Sequence, residues 1–146
     1  MLQELKRKVE QSNLNEFFVF LGNVKNTEKV YKISDLTVNT SIKEGIALSS
    51  YESLAMGVPV ISSDVGGQSE LITEDVGVIV PCMQQEKDIL DFNYSEEEVE
   101  EYVEAIQKVC NNLIYYKSQC RNRILDEFTI DKMVYLMGKE FINNIP

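Results

Sequence analysis

The chain has 146 residues, 44% apolar and 26% charged, the proportions of an ordinary soluble globular protein with one domain and a core of its own. Its 24 acidic and 14 basic residues leave a net charge of −10, and no basic stripe with interleaved aromatics occurs, which excludes a nucleic-acid-binding design. Histidine is absent, and the three cysteines, Cys82, Cys110 and Cys120, lack CxxC spacing, so His-based catalysis, His-ligated metals and a disulfide framework drop out and a cytoplasmic setting is expected.

The opening LQELKRKVEQ predicts an amphipathic helix over Leu2–Gln11 rather than a targeting segment, and no apolar run reaches the roughly 20 residues of a membrane span. Phe17–Leu21, wholly apolar and ended by Gly22, predicts a strand buried on both faces. Thr27 is placed to cap a helix through Ser34, and Leu36–Val38 is the next strand. A helix over Leu48–Met56 stops at Gly57, and Pro59 begins the strand Pro59–Ser62. Gly66–Gly67 opens a short helix through Ile72, and Val76–Val80 supplies another strand.

Strands alternating with helices indicate βαβ units, an α/β fold with a parallel sheet. Beyond Pro81, residues 82–94 read as a loop. Ser95 with Glu98 is a capping-box pattern opening a helix of more than four turns, and Glu96, Glu97, Glu98, Glu100, Glu101 and Glu104 read as its solvated face. Two further helices, Tyr116–Glu127 and Ile130–Asn143, complete a helical tail.

The stretch Ser41–Ala55, SIKEGIALSSYESLA, carries the chemistry. Glu44 precedes Gly45 in a segment without periodicity, and Glu52 falls inside the helix that begins near Leu48. A loop carboxylate, a glycine that lets backbone approach a ligand, and a helix start with free N–H groups suit a polar, anionic small molecule. At 100° per residue, Leu48, Tyr51 and Ala55 share one side of the helix and Ser49, Ser50 and Ser53 another, with Glu52 beside Leu48 at the edge of the apolar arc. Glu52 stands about four residues into the helix, roughly 6 Å along its axis, a workable distance between a phosphate at the helix start and a ribose diol alongside. The same residues also fit a plain reading, with Glu52 an exposed helix glutamate and Ser41 with Glu44 a capping box.

These segments carry a resemblance. FLGNV (Phe20–Val24), YKISDLTVNTS (Tyr31–Ser41), EGIALSSYESLAMGVPVISSDVGG (Glu44–Gly67), Glu70 with Leu71–Ile72, and GVIVP (Gly77–Pro81) together make residues 20–80 resemble the donor-binding domain of the group 1 (GT4-type) glycosyltransferases. That family has the two-domain GT-B fold, and the Glu44/Glu52 pair matches its E-x7-E motif. The resemblance implies a Rossmann-like parallel sheet with flanking helices, with residues 1–146 as a single domain, part of the C-terminal domain of a GT-B enzyme. It implies a retaining transfer from a nucleoside-diphosphate sugar without an essential metal or other cofactor. Carried over by position, Glu44 contacts the donor sugar and orients its anomeric carbon, Glu52 holds the ribose, and the backbone of Gly45, Ile46, Ala47 and Leu48 meets the diphosphate or sugar. The loop at Asn23–Val24 touches the base.

Ile46, Ala47 and Ser53 depart from the residues common in the family, which reshapes the sugar pocket but keeps both carboxylates. Gly66–Gly67 reads as a tight turn more than a phosphate cradle, and Lys43 as an exposed side chain. The family's N-terminal acceptor domain, and an early βα segment with basic groups for the diphosphate, have no counterpart here, so the chain is expected to be a fragment without transfer activity of its own. Its exposed inter-domain face would allow a homodimer, and membrane contact is left open. The alternative is a non-catalytic, self-associating interaction module on the same sheet.

Overall fold

The computed structural model describes residues 2–82 and 94–143. Ten labelled elements follow one another: α1 (Leu2–Gln11), α2 (Glu28–Tyr31), β1 (Thr37–Asn39), α3 (Leu48–Ala55), β2 (Val60–Ser63), α4 (Gln68–Leu71), β3 (Gly77–Val80), α5 (Glu96–Asn111), α6 (Leu113–Glu127) and α7 (Ile130–Asn143). The three strands form a parallel sheet in the order β1-β2-β3, with Val38 opposite Ile61 and Ile61 opposite Val78. The α/β reading with a parallel sheet and a helical tail holds.

The alternation along β2 distributes the core. Every residue of β2 is buried, as expected of a central parallel strand covered on both faces. Val60 packs with Leu54, Leu71, Ile72, Val76 and Cys120 on the face covered by α3, α4 and α6. Ile61, one residue on, points the other way and packs with Val80, Tyr102, Ala105, Val109 and Tyr116, mainly beneath α5. Leu54, Ile61 and Leu71 are wholly enclosed, each worth about 1.5–3 kcal/mol of apolar transfer. Arg123 of α6 ties the layers by donating to the carbonyls of Leu71 (3.2 Å) and Glu70 (2.6 Å) at the end of α4.

The three strands sit within one residue of their expected bounds, and the ends of the helices at α3 and α7 agree with the sequence reading to within a residue. Gly57, at φ +77°, ends the α3 turn in the left-handed conformation that glycine adopts without a steric penalty. The Ser95 capping box forms with both of its hydrogen bonds at the start of α5. Of the expected loop at 82–94, Cys82 and Tyr94 are described and have no regular structure, and residues 83–93 lie outside the described residues.

Six expectations need correction, one of them the end of α2, which stops at Tyr31, three residues short of the expected Ser34. The strand at Phe17–Leu21 is absent: Asn15–Phe17 forms a 3-10 turn, Phe18 continues extended, and Phe17 and Val19 are 73% and 81% exposed. The segment keeps an extended shape, with Phe18 and Phe20 ring centroids 6.3 Å apart, yet the described sheet presents it no neighbouring strand, and backbone groups without a ladder partner do not make a buried strand. Thr27 does not cap α2 through its side chain; it is already in helical geometry, and its carbonyl accepts from Val30 and Tyr31. Helix α6 starts at Leu113, three residues earlier than expected.

The buried side of α3 is also different. Ser50, Ser53 and Leu54 face inward and Leu48 is 71% exposed, because short side chains let the helix settle closely on β1 and β2. Ser53 satisfies its hydroxyl there, donating to the Val58 carbonyl (2.9 Å) and standing 2.8 Å from the Thr37 hydroxyl. Finally, Glu98 leaves the acidic face of α5: it is fully buried, accepting hydrogen bonds from the Ser95 amide (2.9 Å) and hydroxyl (3.1 Å).

Candidate functional site

Glu44 is carried by the loop that leaves the carboxyl end of β1 and enters α3, the edge at which open parallel sheets bind ligands. At its base, the Ser41 amide donates to Asn39 Oδ1 (3.1 Å), and the Ser41 hydroxyl donates to Glu44 Oε1 (3.0 Å). No helix begins at Ser41, so the capping box weighed for this pair does not form; the contact joins two side chains in irregular backbone.

A second loop braces the first. The Gly67 amide donates to the Gly45 carbonyl at 2.7 Å. Gly66 sits at φ +56°, and a β-carbon there would stand 2.2 Å from the carbonyl oxygens of both Glu44 and Gly45. The glycine pair after β2 therefore does two things: it turns the chain, as expected, and it clears the space into which the Glu44 loop packs.

Helix α3 opens behind Ala47, whose side chain offers no acceptor to the first turn. The leading N–H groups of such a helix are unmet within it and mark the positive end of its dipole, a ready place for an anion. Leu48 starts the helix, and Glu52 stands in the second turn, half-buried. Its Oε2 accepts from the Tyr31 hydroxyl (3.2 Å), which also lies 3.2 Å from the Ser49 carbonyl. Partial burial, then the neighbouring Glu52 carboxylate, pushes the Tyr31 phenol up to about 12.

Glu44, Gly45, Ile46, Ala47 and Leu48 thus form one continuous approach to α3, with Glu52 a turn further along it. Glu44 and Gly45 are exposed, Ile46 is half-covered and Ala47 is buried. Val24 lies on the irregular segment before α2, and no hydrogen bond among the described residues joins it to either carboxylate. Lys43 is exposed, and the ion pairs of the described residues, Lys32–Glu28, Lys117–Asp35 and Lys132–Glu127, lie elsewhere. Among the described residues no three His, Cys, Asp or Glu side chains gather as metal ligands would.

Tyr31 is the residue that sequence reasoning missed. Its partner lies 21 positions away, and no local spacing signals the pairing.

Chemically, the arrangement offers carboxylate acceptors for hydroxyl groups and uncapped amides for negative charge, the two demands of a polyhydroxylated anion. An apolar groove of about 430 Å³ between Tyr51, Phe128, Met133 and Met137 is lined by one carboxylate, Glu127, which is already paired with Lys132.

The model of the family described as Glycosyl transferases group 1 matches residues 1–122. The chain belongs to the group 1 glycosyl transferases. It is 39% identical over 80 residues to the lipopolysaccharide core biosynthesis mannosyltransferase LpsB of Rhizobium meliloti, an overlap covering 53% of this chain and 23% of that protein. Among solved structures it resembles the pneumococcal O-GlcNAc transferase GtfA in complex with UDP and GlcNAc, at TM-score 0.76 and 17% identity over 94% of this chain and 26% of GtfA. It also resembles the C-terminal domain of the group 1 protein LpcC from Francisella tularensis, at TM-score 0.64 and 20% identity over 88% of this chain and 62% of that domain. Its fold is that of GT-B glycosyltransferase domains, a C-terminal domain among them. The chain spans about a quarter of the length of LpsB.

Proposed function

We propose that this chain is the donor-binding part of a retaining group 1 glycosyltransferase, whose donor is a nucleoside-diphosphate sugar and whose reaction needs no essential metal. The observation that carries this reading is the placement of two carboxylates around one uncapped helix start, with Glu44 on the entering loop and Glu52 in the second turn. UDP in the GtfA complex is the kind of ligand such a site would take.

In this reading the first amides of α3 receive the diphosphate, Glu52 accepts from the ribose diol, and Glu44 accepts from sugar hydroxyls and sets the anomeric carbon toward its acceptor. Backbone at Gly45, Ile46, Ala47 and Leu48 lines the diphosphate and sugar, and Val24 approaches the base. In the transfer, the bond from the anomeric carbon to the diphosphate oxygen breaks, a bond to the acceptor oxygen forms on the same face, and the acceptor proton leaves with the diphosphate. The acceptor itself is held by a separate N-terminal domain, so the 146 residues bind donor without turning it over.

Nucleotide titration of the chain tests the reading. UDP or GDP should shift the amide signals of residues 44–52 and raise the melting temperature, and Glu52→Ala should remove both effects. A chain that ignores both nucleotides while its size grows with concentration would replace this proposal with the self-associating module. That second reading rests on α7, where Ile130, Phe141 and Ile142 are largely exposed.

A further inference from the structure

A glutamate side chain has several rotatable bonds, and holding it still costs conformational freedom. Glu52 is already held. Its Oε2 stands 3.2 Å from a phenol on another helix, whose single proton it shares with the Ser49 carbonyl one turn earlier on α3, at the same 3.2 Å. Tyr31 is the last residue of α2 and is itself half-buried, so its ring is a fixed post and not a swinging arm.

We infer that Tyr31 is a positioning residue for donor binding: its hydroxyl sets the Glu52 carboxylate in the orientation that grips the ribose diol. The inference rests on the assignment of Glu52 to the ribose made above. An ionised carboxylate offers about four acceptor sites, and one phenol occupies only one of them. Oε1 and the second lone pair of Oε2 remain for two adjacent hydroxyls. Because the geometry is set before the ligand arrives, the ordering cost does not fall on the binding step. Without the hydroxyl, Glu52 is free to turn toward water, and the ribose must gather it in.

Such a role has a signature that general loosening of the fold does not share. It acts through the two ribose hydroxyls alone, so it affects a ribonucleotide and spares its 2′,3′-dideoxy counterpart, which lacks both. The test is an NMR titration of the 146-residue chain with UDP and 2′,3′-dideoxy-UDP, and with the GDP pair, on wild type, Tyr31→Phe and Glu52→Gln. Tyr31→Phe keeps the ring, and unchanged amide spectra away from α2 and α3 verify its fold.

The wild type should prefer ribo over dideoxy by roughly tenfold or more, since one hydrogen bond to a charged group is already worth about that. Glu52→Gln should abolish most of that preference. Tyr31→Phe should cut it to about threefold or less while moving dideoxy affinity by under about twofold, since the ring packing is untouched. If Glu52→Gln abolishes the preference and Tyr31→Phe keeps it at the wild-type value, or weakens both nucleotides equally, the positioning role is wrong and the donor reading stands. If no nucleotide binds, or Glu52→Gln keeps the preference, the donor reading fails and this inference fails with it.

Discussion

Single residues at the site act mainly through main-chain geometry. Gly66 shows this best, because its left-handed φ and the 2.2 Å approach to two carbonyls each forbid a β-carbon. Gly66→Ala should therefore cost at least about 2 kcal/mol, combining a strained backbone with an overpacked contact. The shift of the urea midpoint measures it. Gly45→Ala serves as the contrast: nothing lies within 4 Å of a β-carbon there, and its φ is outside the left-handed range, so stability should move by less than about 0.5 kcal/mol. A small effect at Gly66, matching that at Gly45, would show that the two loops do not meet as described.

The two carboxylates could be picked out from the sequence, since a loop-to-helix junction with Gly45 has a local signature. Tyr31 could not, because its partnership with Glu52 is made by folding alone. The brace from Gly66–Gly67 was half visible: the turn follows from residue type, and the loop it receives does not.

At the scale of elements, the local signals performed best where the interacting groups are neighbours in sequence. The α5 capping box is four residues long and forms with Ser95 and Glu98 answering each other. Ser95→Ala should lower stability by about 1 kcal/mol, read as a fall in thermal midpoint, and since Glu98 is fully buried its carboxylate then loses a partner as well. Helix α3 shows where such signals fail. Its hydropathy arc names Leu48, Tyr51 and Ala55, but the sheet selects the opposite, smaller side, where Ser53 can reach Thr37 and Val58. Hydropathy reports what a residue prefers, whereas close helix-to-sheet packing depends on what fits. The run Phe17–Leu21 failed for a related reason: its composition suits a buried strand, and composition cannot say whether a pairing partner stands beside it.

For the whole molecule, buried phenols and one thiol set the alkaline limit. Tyr102 is a buried residue of α5, with its hydroxyl 2.6 Å from Ser63 Oγ and donating to the Asn39 carbonyl at 3.3 Å. Burial pushes this phenol well above its ordinary value of 10.0. Burial likewise takes the Cys120 thiol from 9.0 up to about 12, and Tyr31 rises to about 12. In each case the folded state holds its proton more tightly than the unfolded chain does. Their stabilising contribution is thus complete below about pH 9 and drains away as the pH climbs through 12. Denaturant midpoints should fall steadily over that window, and Tyr102→Phe, although less stable at neutral pH, should show a flatter decline. A wild-type midpoint constant to pH 12 would contradict the burial of these groups.

The seam between the Glu44 loop and the Gly66–Gly67 turn joins peptide groups, an amide against a carbonyl and an α-carbon against two more, and it also takes in the Ile46 side chain, which a β-carbon on Gly67 would meet at 2.8 Å. Its shape is consequently indifferent to the exposed Lys43 but not to Ile46, which also packs on the core. A bulkier residue at either Ile46 or Gly67 would have to be answered by a smaller one at the other, so the two loops are bound to change together while the surface outside them is free to drift.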